Sequence, residues 1–400
     1  MSASILELKA LEARFAMPTY ARNPVEFVRG EGTRMWDSEG REYVDLFSGL
    51  SVHNAGHRHP EIVGAISDQL GRIAGSSNLY YSEPALRLQE QLSLLGLGGR
   101  SFLCNSGAEA NECAIKVVRK HAHARGVERP EIVVLEGGFH GRTMGALSAT
   151  VKLAREELFG PLLPGFVGVG RDDVERLRAA VGADTAAVML EPVQGEAGIF
   201  PIADEVLVAA REACDEHGAL LVYDEVQTGM GRTGSLWAYE DGPARPDVVT
   251  AAKGLGGGLP VGACMLSPEV GAGLALGDHG STFAGGPICA RAALAALALC
   301  SDPGVLANVR ERGRQLEREA LALDGVTGIR RRGLMAGLEL EEGLVAADVA
   351  TAALEAGVVV NPPNPSTIRL LPALVIDEAD LSEGLGRLGT AITAARRKPA

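Results

Sequence analysis

The sequence predicts an α/β fold, a mostly parallel sheet covered by helices, joined to a smaller α+β domain built from both chain ends. Two observations carry this. From about residue 100, apolar runs of four to six residues alternate with longer stretches of helical period, the pattern of parallel strands linked by crossover helices. Glycine supplies 51 of 400 residues, well above the usual roughly 7%. It gathers in short apolar-flanked runs and not at a fixed period, so collagen-like and linker-like chains are excluded. A chain of this length suits two or three domains. The pattern places a large domain at 51–300, with 1–50 and 301–400 contributing to the small one.

The elements follow in order. The segment MSASILELKALEARFAM sets Glu7, Lys9, Glu12 and Arg14 inside its only apolar stretch, so it reads as an amphipathic helix and not as a signal peptide. Residues 25–47 hold three short β-like runs separated by RGEG and DSEG turns, an antiparallel meander. SFLC, EIVVL, AAVML, LLVYD and DVVTAA are the strand candidates of the large domain. A helix follows SFLC to about His121, and ARAALAALALC closes the domain. Beyond residue 305, GLMAGLEL, GVVV and IRLLPAL are strand candidates, and PPNP at 362–365 reads as a rigid turn. The apolar run Ala292–Cys300 is too short to span a bilayer. The six cysteines show no C-x-x-C spacing and sit mostly among apolar residues, as reduced thiols of a cytoplasmic protein would. A net charge of −13 repels phosphate backbones and argues against nucleic-acid binding.

In an open α/β sheet, ligands bind beyond the carboxyl ends of the strands. After SFLC come Ser106, Gly107 and Ala108, small residues at a helix start whose N–H groups and hydroxyl suit an anion. An ordinary capping box of Ser106 with Glu109 explains the same residues. After EIVVL come Phe139, His140, Gly141 and Arg142, which offer a ring for stacking and a fork for a carboxylate. A phenylalanine folded back on the core is the plainer alternative. EPVQGE, Glu191 to Glu196, follows AAVML. Asp224 ends a run that should be buried on both faces, where a carboxylate needs a cation or strong donors. A helix cap or an arginine pair would also satisfy it. Lys253, one of only six lysines, sits between an apolar strand and the run Gly254–Gly258. Burial there would depress its pKa and make it a nucleophilic amine, whereas a lysine reaching to solvent would do nothing. His53, His57 and His59 match no zinc spacing, so no metal is expected. No G-x-G-x-x-G follows the first strand, which argues against a dinucleotide. A strand-end lysine, a buried aspartate, a phosphate-sized helix N-terminus and a stacking ring together form the set that pyridoxal phosphate requires.

These residues stand in blocks, CNSGAEANE, FHGRT, EPVQGE, DEVQTGMGRTG, AAKGLGGGLPVGA and HGSTFAGGP, whose order and spacing resemble the class-III aminotransferases of fold type I. The resemblance covers essentially the whole chain and is strongest to the branch acting on N-acetylornithine. It implies a large domain with a mostly parallel, seven-stranded-type sheet. It implies pyridoxal 5′-phosphate held by Ser106, Gly107, Ala108, Phe139, His140, Asp224, Val226, Gln227 and Lys253. Lys253 would bond the cofactor, Asp224 would meet its ring nitrogen, and Gln227 would lie near its phenolic oxygen. Thr282 would reach the phosphate in the neighbouring subunit of a homodimer with sites at the interface. Arg142 and Ser281 would contact the acetylornithine end of the substrate. Arg369 would take the α-carboxylate of glutamate or 2-oxoglutarate, with Glu196 pairing to it otherwise. The implied reaction transfers the terminal amine of N-acetylornithine to 2-oxoglutarate, a step of arginine biosynthesis. Leu50, where ornithine-specific relatives carry a tyrosine, fits an acylated amine better than a charged one. Ala284 and Gly286 depart from a glycine and an asparagine common in the family. Another ω-aminotransferase, acting on ornithine, succinylornithine or 4-aminobutyrate, is the second reading, and an aminomutase or racemase on the same fold is the third.

Overall fold

Seven strands form the central sheet of the computed structural model, which describes residues 4–151 and 156–396. Lys152 and Lys398 lie outside the described residues. The spatial order is Ser101–Cys104, Gly262–Leu266, Val248–Ala251, Leu220–Asp224, Thr185–Leu190, Glu131–Leu135 and Phe166–Val169. Thr185–Leu190, Leu220–Asp224 and Val248–Ala251 bury every residue, as strands covered by helices on both faces must. Neighbours run parallel except at Gly262–Leu266, which is antiparallel to both of its partners. That strand and Phe166–Val169 were not among the sequence candidates. Both are short and glycine-bearing (GACML, FVGV), so neither stood out from the loops beside it.

This order sets the site. Asp224 pairs in register with Thr250, so the ends of their strands lie side by side, with Lys253 just beyond. The helix Gly107–Ala124 crosses beneath them, capped by Ser106, whose Oγ accepts from Glu109 N at 3.2 Å. Its buried stripe runs through Ala110, Asn111, Ala114 and Val118. The closing helix Pro287–Cys300 packs against Pro60–Leu70 and Glu83–Leu94.

Both chain ends meet in the small region. Phe27–Glu31, Arg34–Asp37 and Glu42–Asp45 form the expected meander, and Val358–Val359 adds to it in parallel. A second sheet runs Val326–Arg332, Met335–Leu340, Thr367–Leu370 and Asn361–Asn364. The last strand corrects the turn expected at PPNP. It lies on the sheet edge, where prolines lose no ladder hydrogen bond. The N-terminal helix Ile5–Phe15 forms, capped by Ser4, and buries none of its residues. All six cysteines are free thiols, five of them buried. His57 Nε2 meets Asp45 at 2.8 Å and its ring lies 4.5 Å from that of His53, a local turn arrangement. No single helix among the described residues is long and apolar enough to cross a membrane.

Candidate active site

Asp224 anchors the site. It is almost fully buried, and its carboxylate accepts three hydrogen bonds, with a fourth polar group close by. Oδ1 takes Val226 N at 3.1 Å and lies 3.3 Å from Thr250 Oγ1, and Oδ2 takes Asn111 Nδ2 and His140 Nδ1, each at 2.8 Å. Asn111 also donates to the His140 carbonyl at 2.6 Å and accepts from Thr250 at 2.8 Å, closing a ring around the carboxylate. The alternatives of a helix cap or an arginine partner therefore do not apply. Burial opposes charge on the His140 imidazole, but the Asp224 hydrogen bond and charge outweigh it and raise its pKa.

Lys253 follows the strand Val248–Ala251 with φ at 44°, a left-handed backbone that an L-residue adopts only under constraint. Its Nζ makes no hydrogen bond with the described residues. Burial lowers its pKa, against the pull of the Glu196, Glu191 and Asp224 carboxylates. Glu191 accepts from Phe139 N at 2.9 Å, and burial pushes its carboxyl up to about 7.

Lys253 and Asp224 face one cavity of about 470 Å³. Ser106, Gly107, Ala108, Phe139, His140, Arg142, Val226 and Gln227 line it too, so ten of the fourteen predicted site residues converge here. Arg142 is exposed, with its guanidinium 5.4 Å from the Phe139 ring. Both amide atoms of buried Gln227 and Nε2 of His140 lack a partner among the described residues. A Cβ on Gly107 would stand 2.7 Å from Val226, so the helix start must be bare. A flat, phosphorylated, aldehyde-bearing ring fits this donor set: an amine to bond, a charged acceptor for a ring nitrogen, unpartnered polar groups, and exposed helix N–H groups for a dianion.

The other four predicted residues lie off the cavity wall. Arg369, 2% exposed, pairs with Glu196 at 2.7 Å and donates to Gly195 O at 3.1 Å and Asn361 Oδ1 at 2.7 Å. Ser281 accepts from Asn105 Nδ2 at 2.9 Å, and Thr282 is exposed. Leu50 does not line the cavity; Val52, two residues on, does. Sequence reasoning missed Asn111 and Thr250. The only signal for Asn111 was a polar residue in an apolar helical stripe, and Thr250 read as an ordinary strand residue.

The class-III aminotransferase family model matches residues 16–392. The acetylornithine aminotransferase of Xylella fastidiosa is 45% identical, over 98% of this chain and 97% of its own. That of Methanopyrus kandleri is also 45% identical, over 97% of this chain and 100% of its own. Among solved structures, the N-acetylornithine aminotransferase of Stenotrophomonas maltophilia superposes with a TM-score of 0.84 at 36% identity, covering 96% of this chain and 98% of that one. The ornithine aminotransferase of Toxoplasma gondii superposes at 0.93 with 29% identity, covering 100% and 97%.

Proposed function

The chain belongs to the class-III aminotransferases, and from that membership and its site we propose that it is a pyridoxal-phosphate enzyme moving the terminal amine of N-acetylornithine to 2-oxoglutarate. The products are N-acetylglutamate 5-semialdehyde and glutamate, a step of arginine biosynthesis. One observation carries the two-substrate reading. Arg369 is a buried carboxylate fork whose carboxylate partner, Glu196, is one-third exposed. One pocket can thereby take a dicarboxylate with Glu196 displaced and an amine lacking that carboxylate with Glu196 in place.

When bound, the cofactor supplies an aldehyde to receive the amino group and a ring that withdraws electrons from the carbon bearing it. Lys253 would bond that aldehyde, and its Nζ is the base that would take the proton from the carbon carrying the reacting amine. Asp224, bonded by Val226 N, Asn111 and His140, would hold the proton on the ring nitrogen. The N–H groups of Gly107 and Ala108 with the Ser106 hydroxyl would hold the phosphate. Phe139 and Val226 would cover the cofactor's ring, and Gln227 would donate to its phenolic oxygen. Arg142 and Ser281 receive the acylated end of the donor. Because both substrates use one pocket in turn, ping-pong kinetics follow.

The active species is a homodimer in which Thr282 serves the partner's phosphate. Exposed Leu79, Tyr80, Tyr81 and Phe283, the last beside Thr282, support this. Six free thiols support a reducing compartment, the cytoplasm. The test is glutamate formation from 2-oxoglutarate with each donor. N-acetylornithine should exceed ornithine and 4-aminobutyrate by about tenfold or more in kcat/KM. A better rival donor moves the substrate, and turnover without 2-oxoglutarate replaces the aminotransferase by an isomerase.

A further inference from the structure

Two strained segments border the cavity, and one buried cation touches the structure holding both. Ser48, Gly49, Leu50 and Ser51 run successively at φ 48°, 56°, 66° and 72°, and Lys253 stands at 44°. Left-handed geometry at non-glycine residues costs about 1–3 kcal/mol each and persists only where the surroundings over-determine it. Arg232 is bonded to the first of these segments through Ser51. It is fully buried, and none of its hydrogen-bond partners is a carboxylate. Nε donates to Ser51 Oγ at 2.9 Å, one terminal nitrogen to Asn54 Oδ1 at 2.6 Å, and the other to the carbonyls of Leu334 at 3.0 Å and Pro372 at 2.5 Å. Burial pulls its pKa down to about 9. A cation desolvated against four neutral acceptors is an expensive way to gain stability alone.

Those acceptors come from three places. Ser51 and Asn54 belong to the segment whose Val52 lines the cavity. Leu334 precedes the strand Met335–Leu340, and Pro372 follows the strand that carries Arg369. Ser51 Oγ also donates to Asn54 Oδ1 at 2.9 Å, and Asn54 Nδ2 donates to Met230 O at 3.0 Å, so the Asn54 amide is fixed on both sides. That amide lies close against the residue after Lys253: a Cβ on Gly254 would stand 2.6 Å from Asn54 Nδ2.

We propose that Arg232 is a positioning residue for Lys253. Its guanidinium locks the segment 48–54 to the strand ends beside Arg369, and Asn54 passes that constraint to the backbone of Gly254, next in the chain to Lys253. Only a planar fork with several donors reaches acceptors in all three places, so lysine cannot substitute. The catalytic consequence rests on the reading of Lys253 as the cofactor-bonding residue; the mechanical claim does not.

The test compares the cofactor-loaded protein with its Asn54→Ala, Ser51→Ala and Arg232→Lys variants by amide hydrogen exchange and by the rates of the two half-reactions. The reporting amides are Val52 and His53, bonded to Ser48 O, and Leu255 and Gly257, bonded to Ala252 O and Gly254 O. Asn54→Ala should raise exchange in both groups by about tenfold or more, with the rest of the large sheet unchanged. It should also slow both half-reactions by about tenfold, with KM for 2-oxoglutarate shifting less than about twofold. Should Arg232→Lys fail to fold, the two smaller substitutions carry the test. Unchanged exchange at Leu255 and Gly257 in Asn54→Ala overturns the proposal, as does a uniform rise across the protein. If the wild-type chain transaminates nothing, the function is wrong while the exchange result still decides the coupling.

Discussion

Asn111 does the most of any residue outside the predicted site. Its amide holds Asp224 and the His140 carbonyl together, while its oxygen accepts from Thr250. A hydrogen bond to a buried carboxylate is worth about 1.5–3 kcal/mol. Asn111→Ala should therefore weaken pyridoxal-phosphate affinity by about tenfold or more, measured by equilibrium titration of the cofactor-free protein. Unchanged affinity would show that His140, Thr250 and Val226 suffice. Glu196 makes the second prediction. Glu196→Ala removes the only carboxylate paired with Arg369 among the described residues, so the half-reaction with glutamate should be intact or faster. A selective loss of that half-reaction in stopped-flow traces would contradict the switch. Lys253 and Asp224 were legible because a lone lysine at a glycine run and an acid ending an apolar strand are chemically odd. Asn111 was not, because a single amide in a helical stripe looks like any buried polar residue.

At the scale of elements, the turn after Asp224 illustrates how a buried acid builds structure. Glu225 accepts from Ala238 N at 2.6 Å and Tyr239 N at 3.0 Å, tying the 3₁₀ turn Ala238–Asp241 to the strand end. Burial raises its carboxyl to about 7, more than those N–H groups lower it. Between 4.5 and about 7 the folded chain thus keeps a proton that the unfolded chain releases. The stability from this group is complete below 4.5, falls as pH rises, and levels off above about 7. Glu225→Gln lacks that slope. Its stability relative to wild type should rise by something of order 3 kcal/mol between pH 4.5 and 8 in denaturant titrations. A pH-independent difference would contradict the assignment. The same scale shows where sequence reading failed. Five sheet strands announced themselves as apolar runs, but GACML and FVGV carry glycine, and PPNP looked like a turn because proline hides an edge strand. Edge position comes from tertiary pairing, which no local pattern encodes.

For the whole molecule, alternating apolar runs and helical stretches made the α/β class legible, and motif order made the family legible. How the parts bear on one another was not legible: the pin of Arg232 joins segments 181 and 140 residues apart in sequence. The assembly prediction belongs here. With a chain of 41.7 kDa, sedimentation should give a dimer near 83 kDa, twice that mass, and Tyr81→Asp should shift it toward monomer with loss of cofactor. A wild-type monomer retaining full activity would contradict sites completed across an interface. The most direct measurement of the central claim is the visible absorbance of the cofactor-loaded protein, followed as substrates are added in turn. The account predicts a band that bleaches with N-acetylornithine, responds far less to ornithine, and returns on adding 2-oxoglutarate. No visible band after incubation with pyridoxal phosphate, or a band that bleaches only with another amine, would contradict it.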